Sequence, residues 1–321
     1  MGKRTYKNIK NYNKNTLVNT LINRKRLNKT LKGRHSKSSF TKLNCSPENK
    51  EKTYTCYTDA DIYKLKDMWN ARHPDKPIKT KNTKQIWEQL KQYYANICNK
   101  ESCWVRQMTK NTKLERELLD AFAPESPKDW KINPNEWLSS IDILQVMNQY
   151  EKKYKCFDFL GPSPIDYDTH TLNGECVWEE LCHFELEDHL KRKHTKIGVI
   201  FNLDPHNKGG SHWVSLFINV KNKTIFFFDS VGEAIPPQIK KFVNTVIKQG
   251  KQMSVPIDFV FDQNYPIEHQ YGNTECGIYS LFFITHMLED KITTHYLKTH
   301  ILKDKYMEKF RKVYYNQNGD V

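Results

Sequence analysis

Four residues whose side chains could together carry out nucleophilic chemistry occur in the order His212, Asp229, Gln270 and Cys276. A thiol, an imidazole and a carboxylate are the groups of a thiol hydrolase, in which the imidazole activates the thiol and the carboxylate orients the imidazole. A side-chain amide shortly before the cysteine can stabilise an oxyanion. Any one of the four could be structural when taken singly, but their joint occurrence predicts a cysteine protease.

The segments between His212 and Asp229 predict how these two residues meet. Residues 213–220 and 224–228 are rich in β-branched and aromatic side chains, and the Lys-Asn-Lys sequence between them is typical of a turn. The two segments therefore predict a β-hairpin. His212 lies at the outer end of its first strand and Asp229 at the far end of its second, so antiparallel pairing would bring the two together.

Cys276 precedes an apolar segment that predicts a helix. We expect Cys276 about two positions into that helix, with Asn273 or Thr274 as the N-cap. A helix N-terminus and a nearby imidazolium both favour a thiolate. Gly277 leaves the backbone beside the sulfur uncovered, and Gln270 lies in a preceding loop that could fold over a scissile carbonyl.

The contexts of these residues resemble the superfamily that contains the SUMO-deconjugating proteases and the adenovirus protease. The shared pattern is the order His-Trp, Asp-Ser and Gln-x5-Cys-Gly, and it lies between residues 196 and 288. A weaker element is Trp137-Leu138, which is similar to the Trp-Leu segment that opens the catalytic domain in that family. The branch from large DNA viruses, which trims structural polyproteins, looks most similar.

This resemblance implies a role for each residue of the pattern. Cys276 would be the nucleophile and His212 the general base. Asp229 would orient the imidazole, and Gln270 would donate a hydrogen bond to the oxyanion. Trp213 would form a wall of the substrate cleft.

The whole chain is expected to have three parts. Residues 1–53 form a basic and disordered arm, residues 54–123 a small helical module, and residues 124–321 the catalytic domain. The predicted fold class is α+β: a papain-like, adenain-type catalytic domain with a short mixed sheet packed between helices and the Cys276 helix at its centre. Within it, residues 133–136 are expected to start a helix. That helix is expected to bury four apolar side chains, those of Trp137, Ile141, Leu144 and Met147.

The positive charge of the chain is concentrated at its N-terminus. The chain has 51 Lys and Arg and 37 Asp and Glu, a formal charge of +14, and residues 1–50 carry +13 of it. This segment is predicted to be either an arm that contacts nucleic acid or another polyanion non-specifically, or a solvated tail. The protein substrate, a polyprotein or a ubiquitin-like conjugate, is the other expected partner.

The eight cysteines, at positions 45, 56, 98, 103, 156, 176, 182 and 276, follow no disulfide framework. We therefore expect reduced thiols and a cytosolic or nuclear protein. Zinc binding by the first four is an alternative, but the short CxxC spacing is absent. The sequence predicts no metal and no cofactor.

The sequence also contains no evident signal peptide and no apolar stretch long enough to cross a bilayer. We expect a protein that is not secreted and has no membrane partner. If it is viral, it would be located in the host cytoplasm and the virion; otherwise it would be cytoplasmic or nuclear.

The leading functional prediction is an endopeptidase that cleaves polyproteins after small, Gly-Gly-like residues. A second hypothesis keeps the chemistry and removes a ubiquitin-like modifier. A third is an acetyltransferase that uses a similar His-acid-Cys set, against which Gln270 and the His-Trp pair argue. A fourth is a non-enzymatic virion protein that binds polyanions.

Overall fold

A mixed sheet of six strands lies at the centre of the fold in this computed structural model, which describes residues 40–49, 52–109 and 112–317. The strands are β1 (Phe157–Phe159), β2 (Ser163–Pro164), β3 (Lys196–Asn202), β4 (Trp213–Asn219), β5 (Thr224–Phe228) and β6 (Val260–Gln263). Their spatial order is β1-β3-β4-β5-β6, with β2 also paired to β3. The β3-β4 and β4-β5 pairs are antiparallel and the remaining pairs are parallel.

Helices cover both faces of this sheet. The α-helices of the described residues are α1 (Asp59–Arg72), α2 (Thr83–Tyr94), α3 (Glu101–Met108), α4 (Lys113–Leu119), α5 (Ser140–Lys153), α6 (Glu179–Cys182), α7 (Leu186–Lys191), α8 (Pro237–Gln252), α9 (Cys276–Leu288), α10 (Thr294–Thr299) and α11 (Asp304–Tyr314). The apolar residues of α5, α9 and α11 pack on one face, and those of α8 on the other. The predicted α+β class, with a mixed sheet between helices, is confirmed.

The predicted hairpin is β4 and β5. Ser215 pairs with Phe228 and Asn219 with Thr224, and Lys223 in the turn has a φ of 55°. Every residue of β4 is buried, because its alternating side chains enter the two apolar cores on opposite faces of the sheet. The hairpin is therefore held rigidly on both faces.

The helix that begins at Cys276 is central, as predicted. Its sequence is apolar around the whole circumference, and nearly all of its residues are buried. A helix of this composition has no face suited to water. It packs directly against β4 through side chains such as Phe283, which contacts Phe217 and Phe228.

The predicted start and buried face of α5 are wrong. The helix begins at Ser140 because Ser139 and Asp142 form a capping box, with the Ser139 hydroxyl accepting the Asp142 N–H. The Asn133 amide instead donates to the Glu136 side chain within a local turn. Of the four residues expected to be buried, only Met147 is. Trp137 is 38% exposed, Ile141 65% and Leu144 40%.

The expectation of reduced thiols throughout is also wrong. Three disulfides join Cys45 to Cys56, Cys98 to Cys103 and Cys176 to Cys182, which leaves Cys156 and Cys276 as free thiols. Turns bring the paired Cα atoms to 5.1, 5.6 and 6.3 Å, a proximity that the linear spacing does not reveal. The four cysteines of the zinc alternative are thus joined in two separate pairs.

The predicted helical module is represented by α1 to α4. Thr58 and Asp61 form a capping box at the start of α1. Residues Thr41–Val321 form one compact unit, so the division at residues 53 and 123 stays a prediction. Most of the predicted basic arm, residues 1–39 and 50–51, lies outside the described residues. Among the residues described, no helix is both long and apolar enough to cross a membrane.

Candidate active site

His212 and Asp229 meet at the open end of the β4-β5 hairpin. His212 directly precedes β4, and Asp229 directly follows β5. The Nε2 atom of His212 lies 2.7 Å from Oδ1 of Asp229, whose carboxylate also accepts the Val231 N–H at 3.1 Å. Asp229 is 2% exposed, so the carboxylate is fixed in a site with little solvent. The predicted contact between the two residues is present.

Asn264 holds the backbone of Asp229 in place. Its Oδ1 accepts the Asp229 N–H at 2.9 Å, and its Nδ2 donates to the Asp229 carbonyl at 2.7 Å. Asn264 itself is wholly buried, just beyond β6. Asn264 was not among the predicted site residues, because the residue that it holds lies 35 positions away in the sequence.

Cys276 is the second partner of the His212 imidazole. Burial of the imidazole opposes its protonation, but hydrogen bonds to Asp229 and Cys276, together with their charges, raise the pKa of His212 from 6.5 to about 9. Because Asp229 engages Nε2, the ring nitrogen available to Cys276 is Nδ1. An imidazolium in this position can stabilise a thiolate and can later donate its proton.

The N-terminus of α9 differs from the prediction. Cys276 is the first helical residue, and the N-cap is Glu275, which makes no side-chain capping bond; Asn273 and Thr274 are not the cap. The Glu275 carboxylate is instead held by Arg311, at 2.9 and 3.0 Å from its Nε. No side-chain cap therefore occupies the backbone N–H groups at this helix end.

Gln270 is tied to the turn that follows Asp229. Its backbone N–H donates to the Ser230 carbonyl, and its Oε1 accepts the Ser230 hydroxyl, both at 2.8 Å. Its Nε2 donates to the Gly272 carbonyl at 2.8 Å. A carboxamide has two N–H donors, so one remains for an oxyanion. These hydrogen bonds to Ser230, the residue after Asp229, connect Gln270 to the His212–Asp229 pair.

Trp213 forms one wall of a pocket of about 780 Å³ beside the hairpin. Its indole N–H donates to the Leu138 carbonyl at 3.0 Å, which fixes the ring. A Cβ at Gly277 would lie 3.0 Å from the Leu138 Cβ, so this glycine permits α9 to approach the Trp137-Leu138 segment closely. The pocket wall and the start of α9 therefore share Leu138.

Comparison with known proteins identifies the chemistry. Residues 183–320 match the Ulp1 protease family, C-terminal catalytic domain. A thiol protease of Acanthamoeba polyphaga mimivirus is 27% identical over 281 residues, which cover 84% of this chain and 80% of that protein. A cysteine protease of African swine fever virus (isolate Tick/Malawi/Lil 20-1/1983) is 27% identical over 253 residues, covering 74% and 90% respectively.

Residues 183–320 are therefore similar to the Ulp1 catalytic domain, and the chain is a cysteine peptidase. The predicted resemblance is confirmed, and the acetyltransferase and non-enzymatic hypotheses are set aside. The relatives described above are viral, which supports a viral source for this protease. The crystal structure of an African swine fever virus protease matches 87% of this chain and 97% of that chain, with a TM-score of 0.62 and 20% identity, so the two share a fold.

Proposed function

We propose that this protease is an endopeptidase in which Cys276 is the nucleophile and His212 the general base and acid. Asp229 orients the imidazole, and Gln270 donates to the oxyanion. The observation that carries the proposal is the placement of His212, which hydrogen-bonds Asp229 at 2.7 Å through Nε2 and whose pKa is raised by Cys276 as well as by Asp229. Neither partner alone would specify this chemistry.

In the proposed reaction, the Cys276 thiolate attacks the scissile carbonyl carbon. The carbonyl oxygen becomes an oxyanion, which accepts hydrogen bonds from the remaining Gln270 N–H and from backbone N–H groups at the start of α9. The imidazolium of His212 then gives its proton to the leaving amine, and a thioester remains. Water, deprotonated by His212, hydrolyses the thioester and restores the thiol.

The proposed substrate has small, Gly-Gly-like residues before the scissile bond. Trp213 is fixed by its hydrogen bond to Leu138, so a bulky side chain beside it would have to displace a buried indole. Farther along, the pocket is lined by the exposed apolar side chains of Trp137 and Leu144. The pocket is therefore suited to an extended protein segment whose residues next to the scissile bond are small and whose preceding residues are apolar.

The test compares fluorogenic peptides that differ only before the cleaved bond. A peptide ending in Gly-Gly should be cleaved with a kcat/KM at least about 100-fold above that of a matched peptide ending in Val-Val, because the larger side chains meet Trp213. Cys276→Ala should remove all turnover on both peptides. Equal cleavage of the two peptides would contradict the proposed specificity.

Viral polyproteins are the proposed physiological substrates, and the host cytoplasm and virion are the proposed locations. Removal of a ubiquitin-like modifier is a second candidate, because relatives from several African swine fever virus isolates are named SUMO-1 cysteine proteases. Mapping the new N-termini made by active enzyme against a Cys276→Ala control distinguishes the two. Cleavage within extended virion proteins supports the first candidate, and release of intact modifiers supports the second.

A further inference from the structure

A second group of thiol and imidazole side chains lies between β2 and α7, away from Cys276. His170 and Cys176 face each other across a β-bridge, and the Val177 N–H donates to the Thr169 carbonyl at 2.9 Å. These bonds make residues 169–177 a short hairpin. The helix α6 follows at once and ends with Cys182, beside His183.

The two histidines approach the same sulfur. Sγ of Cys176 lies 3.7 Å from Nε2 of His170 and 3.9 Å from Nε2 of His183. The Cys182 sulfur, bonded to Cys176, completes a set in which the ligand atoms of His170, Cys176 and Cys182 all lie within 4.8 Å of one another. Tetrahedral zinc, with Zn–S near 2.3 Å and Zn–N near 2.0 Å, separates sulfur and nitrogen ligands by roughly 3.5 Å.

We propose that His170, Cys176, Cys182 and His183 bind one Zn²⁺ when the two cysteines are reduced. The set has the Cys₂His₂ composition of structural zinc sites, two ligands on a hairpin and two at the end of a helix. Among the described residues, neither Cys45–Cys56 nor Cys98–Cys103 belongs to such a group. The proximity of two imidazoles therefore distinguishes this cysteine pair from the others.

Glu179 supports the site from outside. One carboxylate oxygen accepts the Cys176 N–H at 2.8 Å, and the other lies 3.1 Å from Nε2 of His183. We assign Glu179 to positioning and His183 to coordination, because the thiols and neutral imidazoles form the preferred zinc set. The assignment is testable, since a Glu179→Gln variant keeps the amide hydrogen bond but loses the carboxylate charge.

Reduction and metal binding are two separate steps. A phosphine and one water molecule convert the Cys176–Cys182 disulfide into two thiols, and the phosphine becomes its oxide. Zinc binding then releases the two thiol protons, and both sulfurs coordinate as thiolates. The oxidised chain keeps the disulfide and has no thiolate to offer the metal at this position.

The site also adjoins the substrate pocket. Val177 and Trp178 directly follow Cys176 and line the same pocket as Trp213. Zinc would fix this wall more firmly than the disulfide alone, since it adds His170 and His183 as anchors. This consequence rests on the proposed function, but metal binding does not, and it is measured without catalysis.

The experiment uses the full-length chain with Cys276→Ala, reduced with a phosphine, and titrates it with Co²⁺ and then Zn²⁺. We expect one equivalent of Co²⁺ with thiolate-to-metal absorption, displaced by Zn²⁺. His170→Ala, His183→Ala and Cys182→Ser should each weaken binding by at least about 100-fold, because loss of even an outer partner costs roughly 10–100-fold. A Cys98→Ser/Cys103→Ser variant is the matched control and should bind normally.

Three results would overturn the site: no bound metal in the reduced chain, equal binding in both histidine variants and the parent, or loss of binding in Glu179→Gln but not in His183→Ala. Circular dichroism of each variant shows whether a loss of binding reflects unfolding. With Cys276 restored, zinc removal should raise KM for a Gly-Gly peptide more than it lowers kcat. A bound zinc whose removal leaves KM unchanged would refute the link to the pocket.

Discussion

Arg311 and Glu275 form a buried ion pair directly behind the candidate nucleophile. Nε and Nη2 of Arg311 lie 2.8–3.0 Å from the Glu275 carboxylate oxygens, and the two side chains are 5% and 3% exposed. Arg311 also donates to the Glu136 and Thr274 carbonyls, at 2.8 and 2.9 Å. One guanidinium therefore joins α11, the start of α9 and the segment before α5.

Removing one member of this pair should destabilise the protein strongly. Glu275→Gln leaves a buried guanidinium without its counter-charge, a change that typically costs about 3–5 kcal/mol. Arg311→Met combined with Glu275→Leu removes both charges and should cost less than either single change. Urea unfolding of Arg311→Met, Glu275→Leu and the double variant measures the difference. A double variant as unstable as the sum of the single ones would mean that the pair does not interact as described.

The candidate nucleophile can be separated from the other free thiol. Cys276→Ala should abolish peptide cleavage with the fold intact, because only the thiolate attacks the substrate. Cys156→Ala is the matched control, since Cys156 is the other free cysteine and lies just before β1. The activity of the Cys156→Ala variant should be unchanged. Iodoacetamide inactivation, mapped by mass spectrometry, should modify Cys276. An active Cys276→Ala enzyme would refute the proposed mechanism.

The raised pKa of His212 predicts a pH dependence of stability. The pKa is about 9 in the folded protein against 6.5 for the free side chain, so folding favours the protonated imidazole. This stabilisation, on the order of 3 kcal/mol, is fully present below pH 6.5 and is lost as the pH rises through about 9. Urea unfolding of the parent and of His212→Gln should converge over this range.

Asp229→Asn tests the cause of the same shift. The Asp229 hydrogen bond and charge help to raise the pKa of His212, so a neutral amide should lower that pKa. The alkaline limb of the kcat/KM profile should therefore move to lower pH, along with a loss of activity that is smaller than in His212→Ala. An unchanged alkaline limb in a folded variant would show that Asp229 does not set this ionisation.

Gln270→Ala should lower kcat by about 10²–10³, the usual effect of losing one oxyanion donor. Ser230→Ala is an informative comparison, because the Ser230 hydroxyl hydrogen-bonds the Gln270 amide and Ser230 is itself buried. It should cause a smaller loss of kcat. The measurement is made at saturating peptide. Parental kcat in Gln270→Ala would remove this residue from the site.

The features predicted correctly from the sequence have strong local signals. The hairpin follows from two β-rich segments around a polar turn, and the central helix follows from the uninterrupted apolar run after Cys276. The start of α5 was misplaced because two capping sequences lie close together. Whether the helix starts at Asn133 or at the Ser139 capping box depends on which apolar side chains pack against the sheet, and the local sequence does not specify this.

The missed residues have partners far away in the chain. Asn264 holds Asp229 across a parallel strand pair, and Arg311 reaches Glu275 from the last helix. A buried arginine on an amphipathic helix looks like a surface residue until the opposing carboxylate is known. The proposed zinc set was missed because His170 and Cys176 become neighbours only through the turn that joins them.

The last prediction concerns the basic N-terminal segment. Residues 1–39 contain 12 Lys and Arg and no Asp or Glu, whereas Cys45 is bonded to Cys56 and the Asn44 N–H donates to Asn316 at 2.6 Å. Deletion of residues 1–39 should therefore preserve the compact unit and the cleavage of a short peptide. A longer deletion through Cys45 would also remove those contacts and confuse the result.

In the same truncated protein, affinity for DNA should fall sharply at matched ionic strength, and the remaining binding should depend less on salt, because fewer phosphate-bound counterions are displaced. Fluorescence anisotropy at several salt concentrations measures both quantities. Replacing all 12 basic residues of this segment with Gln in the full-length chain is the control for length, and it should reproduce the loss. DNA binding that survives both changes would leave the segment as a solvated tail.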